Sequence, residues 1–274
     1  QALSDLPLWD INLLEKHDYY LLSYEGFTIK NMKVSALLDR YLLEEEMGSL
    51  EDLKSQINTK EGIKNFFKKV QVMQMLSVPY FIILYKYPLN KIQVYEVMDV
   101  NTINLKINFT KIEEFIEWCS GYRDLVMSSP YEEDSLPLFD RELRHHRSPW
   151  PGNLDCLLYK KGSDILAVVE FQTTVKKSVK EHCNNEFFLP SRFRKGDEQR
   201  WKVMEIISKQ MKLPLIIIVW SPNPDDSDIK IKKVSKIIYS DMQSEFSKGL
   251  HYSFKKVCEL SDTPNILKEC LNNG

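Results

Sequence analysis

The sequence predicts a mixed α/β protein whose central sheet is flanked by helices. Three short apolar runs, 154-LDCLLY-159, 165-ILAVVEFQT-173 and 214-PLIIIVWS-221, have the length of strands, and the last two are rich in β-branched residues. Between the second and third, 196-GDEQRWKVMEIISKQM-211 places its apolar residues at helical spacing. A strand–helix–strand step of this length favours a parallel crossover covered by helices.

Taken in order, 33-KVSALLDRYLLEEEM-47 and 61-EGIKNFFKKVQVMQML-76 both show helical spacing. Two β-runs follow in 78-VPYFIILYKYPLNKIQVYEVMDV-100, around the Pro/Asn turn "YPLN". Residues 110–127 read as a helix with Thr110 as N-cap and Glu113 as its capping-box partner. The stretch "SSPYEED" breaks the pattern, which sets a soft boundary near 128 between an N-terminal α+β region (1–127) and a C-terminal domain (128–274). A helix near 135–146 then leads through 148-SPWPGN-153 into the strand at 154–159. After the third strand, 229-IKIKKVSKIIYS-240 reads as a strand with a basic edge. The C-terminal order is α-β-β-α-β. No internal repeat and no low-complexity segment is visible.

Composition bounds the function classes. Hydrophobic content of 43% supports a packed core, and the net charge of −2 excludes a generic polycation. Charge is nonetheless uneven: 44-EEEMGSLED-52 is acidic and 173–212 is basic, a local face compatible with nucleic acid or with plain solvation. The five cysteines form no CxxC pair, which fits a reducing, cytoplasmic setting without a disulfide framework. The apolar runs are too short to span a bilayer, and the N-terminus lacks a signal-peptide pattern, so no membrane partner is expected.

Two of the strands carry carboxylates. Asp155 opens one and Glu170 nearly closes the next; as a hairpin around 160-KKGSD-164 the two would be neighbours. Unscreened, they would repel, and one would take up a proton. A Mg²⁺ ion between them removes the conflict, and such an ion can activate water and polarise a phosphodiester oxygen. Gln172 alternates with Phe171 and so shares the face of Glu170. The plainer reading is an α/β core in which Asp155 caps a strand and Glu170 pairs with a lysine.

Asp155 followed by Glu170-Phe171-Gln172 resembles the PD-(D/E)XK, or restriction-endonuclease-like, nuclease signature in its E-x-Q form. The resemblance covers about 135–221, with Leu154 in place of the family's Pro. It implies that Asp155 and Glu170 bind Mg²⁺ (Mn²⁺ substituting), that Gln172 replaces the family lysine, and that Glu142 completes the set, with Glu133 and Glu132 behind it. It further implies an endonuclease hydrolysing DNA in prokaryotic restriction or anti-phage defence, as a homodimer or within a larger assembly. A nuclease acting on RNA stays open, as does a silent relative that binds nucleic acid or a protein.

Gln172 lacks the charge that a lysine would bring to the transition state. Candidates to supply it, or to hold the phosphate backbone, are Lys176, Lys177 and Lys180 after the strand, and Arg200 and Lys202 on the helix. Trp201 is expected in the core, since Val203, Met204 and Ile207 continue an apolar face. The cluster 144-RHHR-147 reads as a basic helix end, because adjacent histidines point about 100° apart. With nine glycines and no HExxH, GxSxG or GxxxxGK[ST], zincin, hydrolase-triad and P-loop chemistry fall away. Residues 1–127 offer no comparable constellation; Glu96 and Asp99 follow a strand without a second carboxylate strand beside them.

Overall fold

In the computed structural model, the described residues are 14–43, 50–124, 136–151, 154–182, 195–223, 225–239 and 249–273. Side chains at 60–61, 154–155 and 195–200 lie outside that description. The fold is mixed α/β, built as two sheets in two units: Gln1–Ser23 with Leu154–Gly274, and Tyr24–Asn153. The boundary expected near 128 therefore falls inside the second unit's span, at residues outside the description. Nothing in the first residues announced that they would join the C-terminal half. They do so through β1 (Tyr19–Tyr24), which sits at the edge of that sheet.

The Tyr24–Asn153 unit contains β2 (Gly26–Lys30), β3 (Lys33–Leu42), α1 (Leu50–Glu61), α2 (Ile63–Leu76), β4 (Tyr80–Lys86), β5 (Lys91–Val97), β6 (Ile103–Phe109), α3 (Ile112–Ser120) and α4 (Leu138–His145). Its sheet order is β2-β3-β4-β5-β6, with only the β3–β4 pair parallel. The helix expected over 33–47 is in fact β3, with 44–47 outside the described residues. Ala36, Leu37, Leu38 and Tyr41 are all buried, so both faces of this strand are covered. A strand buried on two faces reads as a near-continuous apolar run, which mimics helical spacing. The helix expected from 110 starts at Ile112. Its N-cap is Lys111 without a side-chain cap, and the Thr110 N–H donates to Glu114 (3.4 Å) rather than pairing with Glu113. Phe115 and Cys119 of α3 and Phe139 and Leu143 of α4 pack on Phe81, Ile83 and Val94.

The other unit adds to β1 the elements β7 (Leu154–Lys160), β8 (Ile165–Thr173), α5 (Lys195–Met211), β9 (Leu215–Trp220), β10 (Asp228–Ile238), β11 (Gly249–Glu259) and α6 (Thr263–Asn272). The order is β1-β7-β8-β9-β10-β11. β7 and β8 form the expected antiparallel hairpin, turned at Gly162, whose φ of 73° suits glycine. β8 and β9 pair in parallel across α5, as the crossover argument requires. All six residues of β9 are buried, because helices cover both faces of the sheet.

Both units thus run hairpin, helical crossover, parallel strand, two antiparallel strands, helix. The repeat missed in the sequence exists in the topology, because different side chains can satisfy the same buried positions.

Cys119, Cys156, Cys258 and Cys270 are buried thiols outside any disulfide. Burial pushes Cys119 up to about 12 and Cys270 up to about 11, and raises Cys258. Thiolate is the reactive form, so these thiols should be inert in the native state. Titration of the folded protein with an aromatic disulfide reagent should register at most one fast thiol, Cys183, against all five after denaturation. Two or more fast thiols would contradict this core.

No helix among the described residues is long and apolar enough to cross a membrane.

Candidate functional site

Side-chain alternation along β8 divides its residues between two environments. Ala167, Val169 and Phe171 enter an apolar cluster with Ile216, Ile218 and, from α6, Ile266 and Leu267. Val168, Glu170 and Gln172 therefore take the opposite face, the side of the sheet towards α5. Glu170 is only 1% exposed there, and Gln172 is half-buried and so the more open of the two.

The hairpin register sets Cys156 opposite Val169. Strand position 155, one residue earlier, thus lies at the ladder end where Glu170 follows Val169. Asp155's side chain lies outside the described residues, so its contacts are not part of this geometry.

Two strands further across, the same face carries lysines. Glu170 is in register with Ile217 and, through it, Lys232; Gln172 with Val219 and, through it, Lys230. Adjacent strands are about 4.8 Å apart, so a lysine stem on β10 can cross β9 and reach a side chain on β8. Lys232 does so. Its Nζ donates to Gln172 Oε1 at 3.4 Å and to the Tyr252 hydroxyl at 3.3 Å, and lies 4.8 Å from the Tyr252 ring centroid. It is 0% exposed, and a buried ammonium is tolerated only with such partners. Lys230, also buried, donates to the carbonyls of His182 (2.6 Å) and Lys180 (3.4 Å) and so ties the loop after β8 to β10.

Sequence reasoning missed both lysines. The signal was the alternation 229-IKIK-232, which sets two lysines on one face; the stretch reads as a strand with a basic edge, and the structure buries both lysines.

The other expected residues scatter. Lys176 and Lys177 are exposed in the loop after β8, where Thr174 Oγ1 donates to the Lys177 carbonyl (2.7 Å). Lys180 is also exposed and pairs with Asp228 (3.0 Å). Lys202 sits half-buried, its Nζ 5.4 Å from the Tyr239 ring centroid. Trp201 is 3% exposed and belongs to the core, as expected. The side chain of Arg200 lies outside the described residues, as do Glu132 and Glu133 entirely. Glu142 is on α4 in the Tyr24–Asn153 unit, whereas Glu170 and Gln172 belong to the other. In the RHHR cluster, His146 Nε2 approaches Glu113 at 3.8 Å.

Among the described residues no group of three or more His, Cys, Asp or Glu could hold a metal. The Asp155 carboxylate stands outside that set. The donor chemistry of positions 155 and 170 is nevertheless that of a hard cation: two carboxylates, with Cys156 turned to the opposite, apolar face. Such oxygens fit Mg²⁺ or Mn²⁺ rather than a thiophilic ion.

No protein-family model and no curated protein matches the chain. A solved structure titled "Crystal structure of Sex pheromone staph-cAM373 precursor" is similar at 11% identity over 90% of this chain and 88% of that one. Its TM-score of 0.17 is too low to indicate a shared fold.

Proposed function

We propose that the unit containing Leu154–Gly274 is a PD-(D/E)XK-like nuclease core that hydrolyses DNA phosphodiester bonds with Mg²⁺. One observation carries this reading: a buried carboxylate, Glu170, shares a sheet face with Gln172 and with a buried ammonium, Lys232, that bonds the Gln172 amide. The positive charge that Gln172 lacks is thereby delivered from β10.

Asp155 and Glu170 would hold the ion, which supplies Lewis-acid activation of the attacked phosphate and of water. Gln172 orients the reacting group through its amide, whose carbonyl oxygen accepts a hydrogen bond from Lys232. Lys232 stabilises negative charge that builds on the phosphate oxygens in the transition state. Lys176 and Lys177 hold the phosphate backbone. Their loop is fastened by Lys230 and by the Val179 N–H, which donates to Asp226 Oδ2 at 2.8 Å.

A second reading has one observation in its favour. Glu170 and Lys232 are closed to solvent, as they would be in a silent nuclease fold that binds nucleic acid or a protein without cutting.

The test is cleavage of plasmid and linear DNA in Mg²⁺, Mn²⁺ or EDTA by wild type, Glu170→Gln and Asp155→Ala, with RNA as competitor. Metal-dependent cutting lost in both folded variants supports the nuclease. Inhibition of cutting by RNA in preference to DNA moves the substrate to RNA. Absence of cutting by wild type leaves the silent fold.

A further inference from the structure

The two units agree down to single hydrogen bonds. β2 pairs with β3 with Gly26 opposite Leu38, and the ladder slips between Thr28 and Ile29. β7 pairs with β8 with Cys156 opposite Val169 and slips between Leu158 and Tyr159, the same step when Gly26 is laid on Cys156. The crossover helices end alike. Ser77 and Lys212 take left-handed φ values of 54° and 56°, and the next N–H groups, of Val78 and Leu213, donate to the carbonyls of Met73 and Ser208. Pro79 and Pro214 follow; their carbonyls accept the N–H of Leu37 and of Val168, each at 2.9 Å. At the far end, Leu43 N–H donates to the Tyr85 carbonyl and Thr174 N–H to that of Trp220. A slipped ladder, a helix end and two crossing bonds all demand one alignment.

Carried to side chains, it lays Asp39 on Glu170, Glu25 on Asp155, Tyr41 on Gln172 and Lys69 on Met204. Asp39 and Lys69 are each 1% exposed. Asp39 Oδ2 accepts from Lys69 Nζ (2.7 Å) and from the Tyr80 hydroxyl (2.5 Å), while Oδ1 accepts the Glu25 N–H (3.1 Å). The Glu25 carboxylate pairs with Arg40 Nε at 3.5 Å, and burial raises it above its usual range. Met204 is 2% exposed and carries no charge.

We infer that the two units are diverged copies of one module, and that the Lys69 ammonium, bonded to Asp39, fills the place of the divalent ion at Glu170. The comparison with the ion rests on the nuclease reading above. The Tyr24–Asn153 copy is therefore self-neutralised and silent, and each chain has one metal centre rather than two.

Mn²⁺ titration by calorimetry tests this on wild type, Glu170→Gln, and Glu170→Gln with Lys69→Met. The expected stoichiometries are one ion, none, and one regained through Asp39. Lys69→Gln, which keeps a donor to Asp39 but drops the charge, replaces Lys69→Met if the latter does not fold. A second ion on wild type that Asp39→Asn removes would overturn the inference, and so would a folded Lys69 variant that gains no ion. If wild type binds none but the Lys69 variants gain one, the nuclease reading fails while the self-neutralised centre stands.

Discussion

Lys69→Met is expected to destabilise the Tyr24–Asn153 unit by about 3–5 kcal/mol, since breaking a buried ion pair leaves the other charge uncompensated. Asp39→Leu should cost a similar amount, because it strands the ammonium instead. Both groups are sealed from water, and the pair is 2.7 Å apart, so neither side chain can recover hydration without opening the fold. Asp39 is also the acceptor for the Tyr80 hydroxyl, on the neighbouring strand β4. The double variant Asp39→Leu with Lys69→Met removes both charges together and should recover to within about 1–2 kcal/mol of wild type, the remainder being the unmet Tyr80 hydroxyl and Glu25 N–H. Hydrogen exchange read by peptide is the suitable measurement, because it resolves the two units. Peptides from 24–153 should lose protection in either single variant and regain it in the double, while those from 154–274 hold steady. Equal loss in the single and double variants would mean that packing, and not charge balance, holds β3 to α2.

Lys232→Met is the second large effect. On the nuclease reading, it should lower the cleavage rate by about 10²–10³, the size expected when one preorganised charge is removed from a developing oxyanion. Affinity for Mn²⁺ should change little, because Lys232 bonds Gln172 and Tyr252 and donates no lone pair to an ion. Adding Gln172→Lys to this variant returns the charge from β8 and should restore cleavage to within about tenfold of wild type. If Lys232→Met cuts normally while remaining folded, the lysine is a core ion-pair partner and the charge comes from elsewhere. Loss of metal binding in the same variant would assign it a structural part in holding Glu170.

How legible the site was depends on which residue is asked about. Glu170 and Gln172 could be read because alternation along one strand is a local property, fixed by backbone geometry alone. The antiparallel hairpin that carries Glu170 was legible too, since the 160-KKGSD-164 turn is short. Lys232 was not. It reaches the site from two strands away, and no spacing along the chain encodes which strand will lie beside which. Glu142 was assigned by likeness to an acidic helix before the hairpin, yet that helix belongs to the other unit. Asp39 went unread for a further reason: β3 is covered on both faces, so its carboxylate looked like a polar residue on an amphipathic helix.

By itself the sequence determined the kinds of element in the C-terminal half, the antiparallel hairpin and the parallel crossover, because periodicity, turn residues and crossover length are written locally. Only the tertiary structure decided that 1–23 joins that half, that Lys232 is buried against Gln172 and Lys69 against Asp39, and that one topology occurs twice. Those outcomes depend on long-range strand pairing and on which charges share a low-dielectric interior, and both are properties of the assembled sheet rather than of any segment.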